Sequence, residues 1–186
     1  MERRDYLKQI LQYGGCVGGL AFLNPSNEDA LFQTLDDDCK AIKNEKEFIQ
    51  NWLKDLITTI DKELDDETKQ KLMAGCGRGC FNRFKFKQDI AVKGKGNLDK
   101  LIEAYKQDFE IWKQSNRVHI RYGAVSKGCY CPTARYRPAK PNDLHCECTR
   151  NMHKTIFETV LGKSFEVQIV ETIRWGGKTS HFVVEV

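Results

Sequence analysis

The chain has 186 residues, 40% of them hydrophobic and 30% charged, with a formal net charge of +4. That length and apolar content fit one ordinary domain with a real core. No apolar run approaches the ~20 residues that a membrane span needs, and so small a net charge does not point to a nucleic-acid partner.

Residues 2–8 read ERRDYLK. Arg3, Arg4, Tyr6, Leu7 and Lys8 resemble the twin-arginine export signal, and a weakly apolar, glycine-rich stretch runs on to Leu23. Residues 1–23 are therefore expected to be such a signal or, alternatively, the first amphipathic helix of a cytoplasmic protein. The resemblance implies export to the periplasm or cell envelope by a route that carries folded proteins.

Residues 24–44 are polar and are expected to form an irregular linker, with one α+β domain over 45–186. Charge is unevenly placed. From Glu28 to Glu67 there are 13 acidic and 5 basic residues, whereas Cys76 to Lys95 holds 6 basic residues against Asp89 alone. From Glu45 to Leu64 the positions Phe48, Trp52, Leu53, Leu56, Ile60 and Leu64 recur at three and four, which predicts an amphipathic helix. Asp65-Asp66 caps the next helix, which leads into the first cysteine pair. Lys93 to Asn97 reads as a turn. A third helix follows, with Leu98, Leu101, Ile102, Tyr105, Phe109 and Trp112 as its buried stripe.

The period then changes from helix to strand. Val118, Ile120 and Tyr122 alternate over 116–122, and Cys129–Cys131 is expected on or beside a second strand. Thr149 to Leu161 is a helix that Gly162 stops. Val167 and Ile169 alternate on the next strand. Gly176-Gly177 predicts a two-residue hairpin that pairs Ile169 with Val184 and Val167 with Val186, with His181 opposite Thr172 and off the apolar face. The fold class is α+β: an antiparallel sheet of about four strands covered by helices, with a helical N-terminal half and a C-terminal β-hairpin.

Of 8 cysteines, Cys16 and Cys39 are isolated and six are paired: Cys76/Cys80, Cys129/Cys131 and Cys146/Cys148. On a helix, Cys76 and Cys80 share a face at about 6 Å between Cβ atoms, which suits two ligands on one metal better than a disulfide. Cys129 and Cys131 on a strand would likewise share a face. Cys146 and Cys148 lie at a helix start, where the dipole favours thiolates. The basic residues around the cysteines would also favour thiolates and attract an anionic ligand. Three readings compete: a thiolate-bound metal, most simply zinc with four ligands; a set of disulfides; and a redox or catalytic dithiol. His145 adjoins Cys146 and is a further candidate ligand. His119 and His153 read as structural or exposed.

Cys76-Gly77-Arg78-Gly79-Cys80, Cys129-Tyr130-Cys131-Pro132, Cys146-Glu147-Cys148-Thr149 and the closing FETVLGKSFEVQIVETIRWGG occur in that order. Together they resemble a group of small uncharacterised bacterial proteins with CGRxC, CYCP and CxC(S/T) motifs before a C-terminal hairpin. The last 40 or so residues are more distantly similar to the 4-vinyl-reductase domain and the thiazoline-carboxylate hydrolase-like families. The resemblance implies a helix-covered antiparallel sheet that binds small hydrophobic ligands and, in some members, zinc through cysteines. It places His181 where those families carry a final-strand cysteine, and so adds it to the metal candidates. The functional expectation is a cysteine-rich domain that binds zinc and a small, anionic molecule, with Arg78 and Tyr130 as ligand contacts. The alternatives are a cysteine- or metal-dependent hydrolase or transferase and a disulfide-stabilised exported protein.

Overall fold

The computed structural model describes residues 28–134 and 137–186, with side chains from Asp37 onward except that of Pro132. The export-signal expectation for residues 1–23 lies outside them. The chain divides into two compact units, 1–52 and 53–186. Helix α1 (Glu28–Glu63) runs through the boundary between them. The segment expected to be an irregular linker is thus helical from Glu28 on. An Asp37–Lys40 pair at i,i+3 illustrates how acidic residues spaced with lysines support a helix there. Phe48, Trp52 and Leu56, expected to be a buried stripe, are exposed, while Ile57 is buried.

The second unit is built from locally readable elements. Asp65 caps α2 (Asp66–Arg83), its side chain accepting from the Thr68 N–H at 2.9 Å. The helix continues through Cys76 and Cys80, as their i,i+4 placement requires. Helix α3 (Lys85–Gly94) turns at Gly96, which takes a φ of +71°, into α4 (Leu98–Tyr105), capped by Asn97. The element directly before this turn is α3, not a strand, so it lacks the context of a phosphate loop.

The predicted third helix ends early. After Tyr105 the chain turns, and β1 (Glu110–Gln114) carries Ile111 and Trp112 into a hairpin with β2 (Arg117–Arg121). Trp112 therefore lies on a strand, where pairing with β2 overrides its helical spacing from Phe109. Helix α5 (His145–Leu161) follows a long loop and stops at Gly162, left-handed at φ +69°. Strands β3 (Val167–Glu171) and β4 (His181–Glu185) complete an all-antiparallel sheet of order β1-β2-β4-β3.

The tight Gly-Gly hairpin does not form. Thr172 caps a short 3₁₀ turn, Ile173–Trp175, and the return strand begins only at His181. The register is Val167↔Val184 and Ile169↔Phe182, a slip of two residues from that predicted. Because strand side chains alternate with period two, the slip leaves the apolar rows on the same face. The longer loop sends Arg174 to a buried carboxylate, Asp143, a partner that sequence spacing cannot reveal. His181 pairs with Glu171 instead of Thr172.

The helices cover one face of the sheet. Ile90, Leu101, Tyr105, Met152, Ile156, Phe157 and Val160 pack on Val118, Ile120, Val167, Phe182 and Val184 to form the core. Among the described residues, no helix is long and apolar enough to cross a membrane.

Candidate functional site

The three cysteine pairs reach one region from three segments. Cys76 and Cys80 stand on α2, Cys129 and Cys131 on the loop after β2, and Cys146 and Cys148 at the start of α5. Cys129 and Cys131 are in coil, not on the expected strand, and Pro132 opens a 3₁₀ turn directly after them. What joins the helical pairs is Gly77. A Cβ built there would lie 2.8 Å from the Cys148 carbonyl oxygen and 2.7 Å from the Asn151 Cβ, so the two helix backbones cross in contact.

The electrostatics of the thiols record the convergence. Burial pushes the Cys148 thiol up to about 12, and the neighbouring thiols of Cys80, Cys76 and Cys131 push the same way against a small opposing pull from Lys87. The Tyr122 hydroxyl is raised first by desolvation, then by Cys80, Cys129, Cys131 and Cys148. Desolvation raises Cys129, against a backbone hydrogen bond from Cys131 that pulls it down and ahead of a smaller push from the Cys131 thiol. Burial likewise pushes Cys146 up to about 11, against a hydrogen bond in which its thiol donates to the Thr172 hydroxyl at 3.1 Å. The helix start was expected to hold Cys146 and Cys148 as thiolates. Desolvation outweighs the dipole there, and both are thiols in the metal-free protein.

Lys87 is the cluster's unexpected member. It is buried, its ammonium donates to the Cys80 sulfur at 2.8 Å, and it lies over the rings of Phe84 and Phe86. A charged N–H on sulfur is the contact that a thiolate, bare or metal-bound, accepts. Beneath the thiols runs a buried relay in which His153 bridges the hydroxyls of Tyr105 (3.2 Å) and Tyr122 (3.1 Å). Sequence reading left His153 as structural or exposed; its helical spacing with Ile156, Phe157 and Val160 was the available sign that it is buried.

The other predicted residues are distributed as follows. Tyr130 is exposed, with its ring 6.0 Å from that of Tyr122, and Arg78 is exposed on α2 between Cys76 and Cys80. His145 is buried, and burial lowers its pKa to about 4, with Arg174 and Arg137 acting in the same direction. His181 does not join the cysteines. It stands on the opposite face of the sheet, against His119 and Trp112, because residue 181 alternates with the core residue Phe182. Cys76, Cys80, Cys129, Cys131, Cys146 and Cys148 all carry free thiols. Among the described residues, no three His, Cys, Asp or Glu side chains stand at metal-ligand spacing.

The buried histidines set the pH response of the fold. Burial lowers the His153 pKa to about 3, with Lys87 adding a smaller push. Between the ordinary value near 6.5 and about 3, the unfolded chain binds a proton at this site that the folded chain does not. Stability therefore falls as pH drops through that window, by up to about 1.4 kcal/mol per pH unit for this residue. Urea unfolding from pH 7 to 4 is expected to show this slope, and His153→Gln is expected to flatten it. An unchanged slope in that variant would show that His153 is not the group responsible.

No protein-family model and no curated protein matches the chain. Its fold is similar to that in a crystal structure of a trafficking protein particle complex subunit 3 from Naegleria fowleri covalently bound to palmitic acid. The TM-score is 0.51 at 14% identity, covering 77% of this chain and 95% of that one. A vinyl-4-reductase family protein from Methanocaldococcus jannaschii is a further structural neighbour. It has a TM-score of 0.34 at 15% identity, covering 90% of this chain and 99% of that one.

Proposed function

We propose that this chain is a small-molecule-binding domain whose thiol cluster takes a soft metal ion, zinc in the simplest case. One observation carries the reading: the half-buried Cys148 thiol lies within electrostatic reach of thiols from two other segments, Cys76 and Cys80 on α2 and Cys131 on the loop after β2. Four sulfurs are the donor set that tetrahedral zinc prefers, and binding displaces their protons. Closing the set requires side-chain rotation, which the exposed Cys76 can make. Lys87 would remain as a donor to the Cys80 sulfur, holding it in place and offsetting the negative charge of four thiolates. Arg78 and Tyr130, exposed beside the cluster, are the proposed contacts for the ligand. The fold neighbour's bound palmitic acid supports a small apolar ligand. The ERRDYLK start supports export as part of the same reading.

The test is elemental analysis of the full chain purified without chelator. About one zinc per chain is expected, lost in Cys80→Ser and Cys148→Ser and kept in Cys146→Ser, whose thiol is engaged with Thr172. Wild-type protein that carries no metal and takes up none on incubation with zinc would sink the metal site.

The Lys87–Cys80 contact favours a second reading, in which the Cys80 sulfur attacks the carbonyl of an acyl thioester donor, so that a new thioester forms on Cys80 as the donor's carbon–sulfur bond breaks and its thiol leaves. Mass mapping after brief alkylation would then find Cys80 labelled first and Lys87→Met slowing it. Labelling of Cys76 and Cys129 ahead of Cys80, in simple order of exposure, would count against this reading.

A further inference from the structure

The face of the sheet opposite the core holds a second cluster, remote in fold position from the thiols. His119 on β2 and His181 on β4 are diagonal neighbours there, since His119 is opposite Val183 and His181 opposite Arg121. Their ring nitrogens face each other, His119 Nδ1 to His181 Nε2, at 3.0 Å. Trp112 is opposite His119 on β1 and stacks flat on its ring, with 4.9 Å between centroids and 6° between planes. Arg121 lies over the other part of this aromatic group, 5.3 Å from the Trp112 ring, and is held by Glu110 at 2.6 Å. The stack fixes the plane of His119, so the direction of its Nδ1 does not depend on His181.

We propose that His119 and His181 form a chelating site for a divalent transition metal such as Ni²⁺ or Cu²⁺. Two imidazole nitrogens bound to one ion at 2.0–2.1 Å are separated by about 2.9 Å at a right angle and about 3.4 Å at a tetrahedral angle. The observed 3.0 Å falls at the right-angle end, the geometry of square-planar and octahedral ions that favour imidazole. Without metal the same two atoms share one N–H···N hydrogen bond; an ion would replace it, with each ring turning its lone pair from the other nitrogen toward a shared point beside the pair. Glu171, paired with His181 across the β3–β4 ladder, is the nearest carboxylate partner. Its Oε2 accepts from the Lys178 N–H, so the chelate rests on the two imidazoles with water filling the remaining positions. Two ligands predict an exchangeable ion, not a structural one.

The test uses the untagged full chain. Ni²⁺ is titrated while tryptophan fluorescence is followed, because an ion on His119 lies next to the Trp112 ring. Retention on immobilised nickel is measured in parallel. The expected result is saturable quenching and retention, weakened at least about tenfold in His119→Gln and in His181→Gln, since each removes one of two ligands. The titration is repeated in Cys80→Ser/Cys148→Ser, which removes the thiol cluster's own affinity for the ion; the tryptophan quenching is expected to persist there, because His119, His181 and Trp112 stand on the opposite face of the sheet. Absence of both quenching and retention in the wild type overturns the site. So does a response that survives both histidine variants or disappears with the thiols. Trp112→Phe is expected to lose the quenching and keep the retention, which reports on the site in a chain with both ligands intact.

Discussion

Asp143→Ala is expected to destabilise the protein by about 3–5 kcal/mol, more than any other single side-chain truncation in the loop before α5. Asp143 is fully buried and neutralises two buried arginines. Arg174 reaches it through Nε at 2.7 Å and Nη2 at 2.6 Å, Arg137 hydrogen-bonds the other carboxylate oxygen, and that oxygen also accepts the His145 N–H at 2.9 Å. Removing the carboxylate leaves two desolvated guanidinium groups and takes away the acceptor of the His145 N–H, the first of α5, in one step. The effect should extend to the thiols. Arg174 also donates to the carbonyls of Ala134, Arg137 and Pro138, so it ties the 132–138 loop, which follows Cys131, to the rest of the unit. Urea unfolding measures the loss. A change below about 1 kcal/mol would mean that water or rearrangement replaces the carboxylate, and the buried-triad account would be wrong.

Gly77→Ala is expected to be the second most damaging change, although alanine is the better helix former. Helix propensity favours the substitution by about 1 kcal/mol. Against it, the new methyl would sit 2.7–2.8 Å from the Asn151 Cβ and from the α5 backbone, atoms that cannot turn aside. Forcing α2 and α5 apart is an overpacking effect of about 1–3 kcal/mol, and it would also separate Cys80 from Cys148. Gly79→Ala, two residues on, is the internal control. There the nearest atom is the tip of the Arg83 side chain at 3.2 Å, which can move, so propensity should prevail and the variant should be neutral or slightly stabilised. Thermal unfolding of the pair decides the matter. Equal melting temperatures would refute the close helix crossing as the role of the CGRGC glycine.

The contrast between Gly77 and Gly79 also shows how far sequence reading reaches. The helix through Cys76 and Cys80 was legible from the Asp65 cap and the apolar spacing before it. Which of two glycines touches the neighbouring helix was not, since that depends on how α2 is rotated against α5. Phe48, Trp52 and Leu56 show the opposite case, a stripe correctly read as helical whose side chains are exposed. Trp112 continued a helical spacing from Phe109 and was still drawn into β1, because pairing with His119 and its neighbours outweighs a weak local preference.

The opening α-rich half, the alternating β2 and the left-handed stop at Gly162 were all determined by the sequence by itself. Each rests on caps, glycine φ angles or side-chain periods that act within a few residues. The tertiary structure alone decided what surrounds the thiols and which histidine lies where. It put Lys87 on Cys80, buried Cys146 and Cys148 deeply enough to outweigh the helix dipole, lengthened the last hairpin so that Arg174 meets Asp143, and carried His181 to the far face beside His119. Those outcomes depend on burial and on partners about 7 to 62 residues apart in the chain, distances over which local periodicity holds no information.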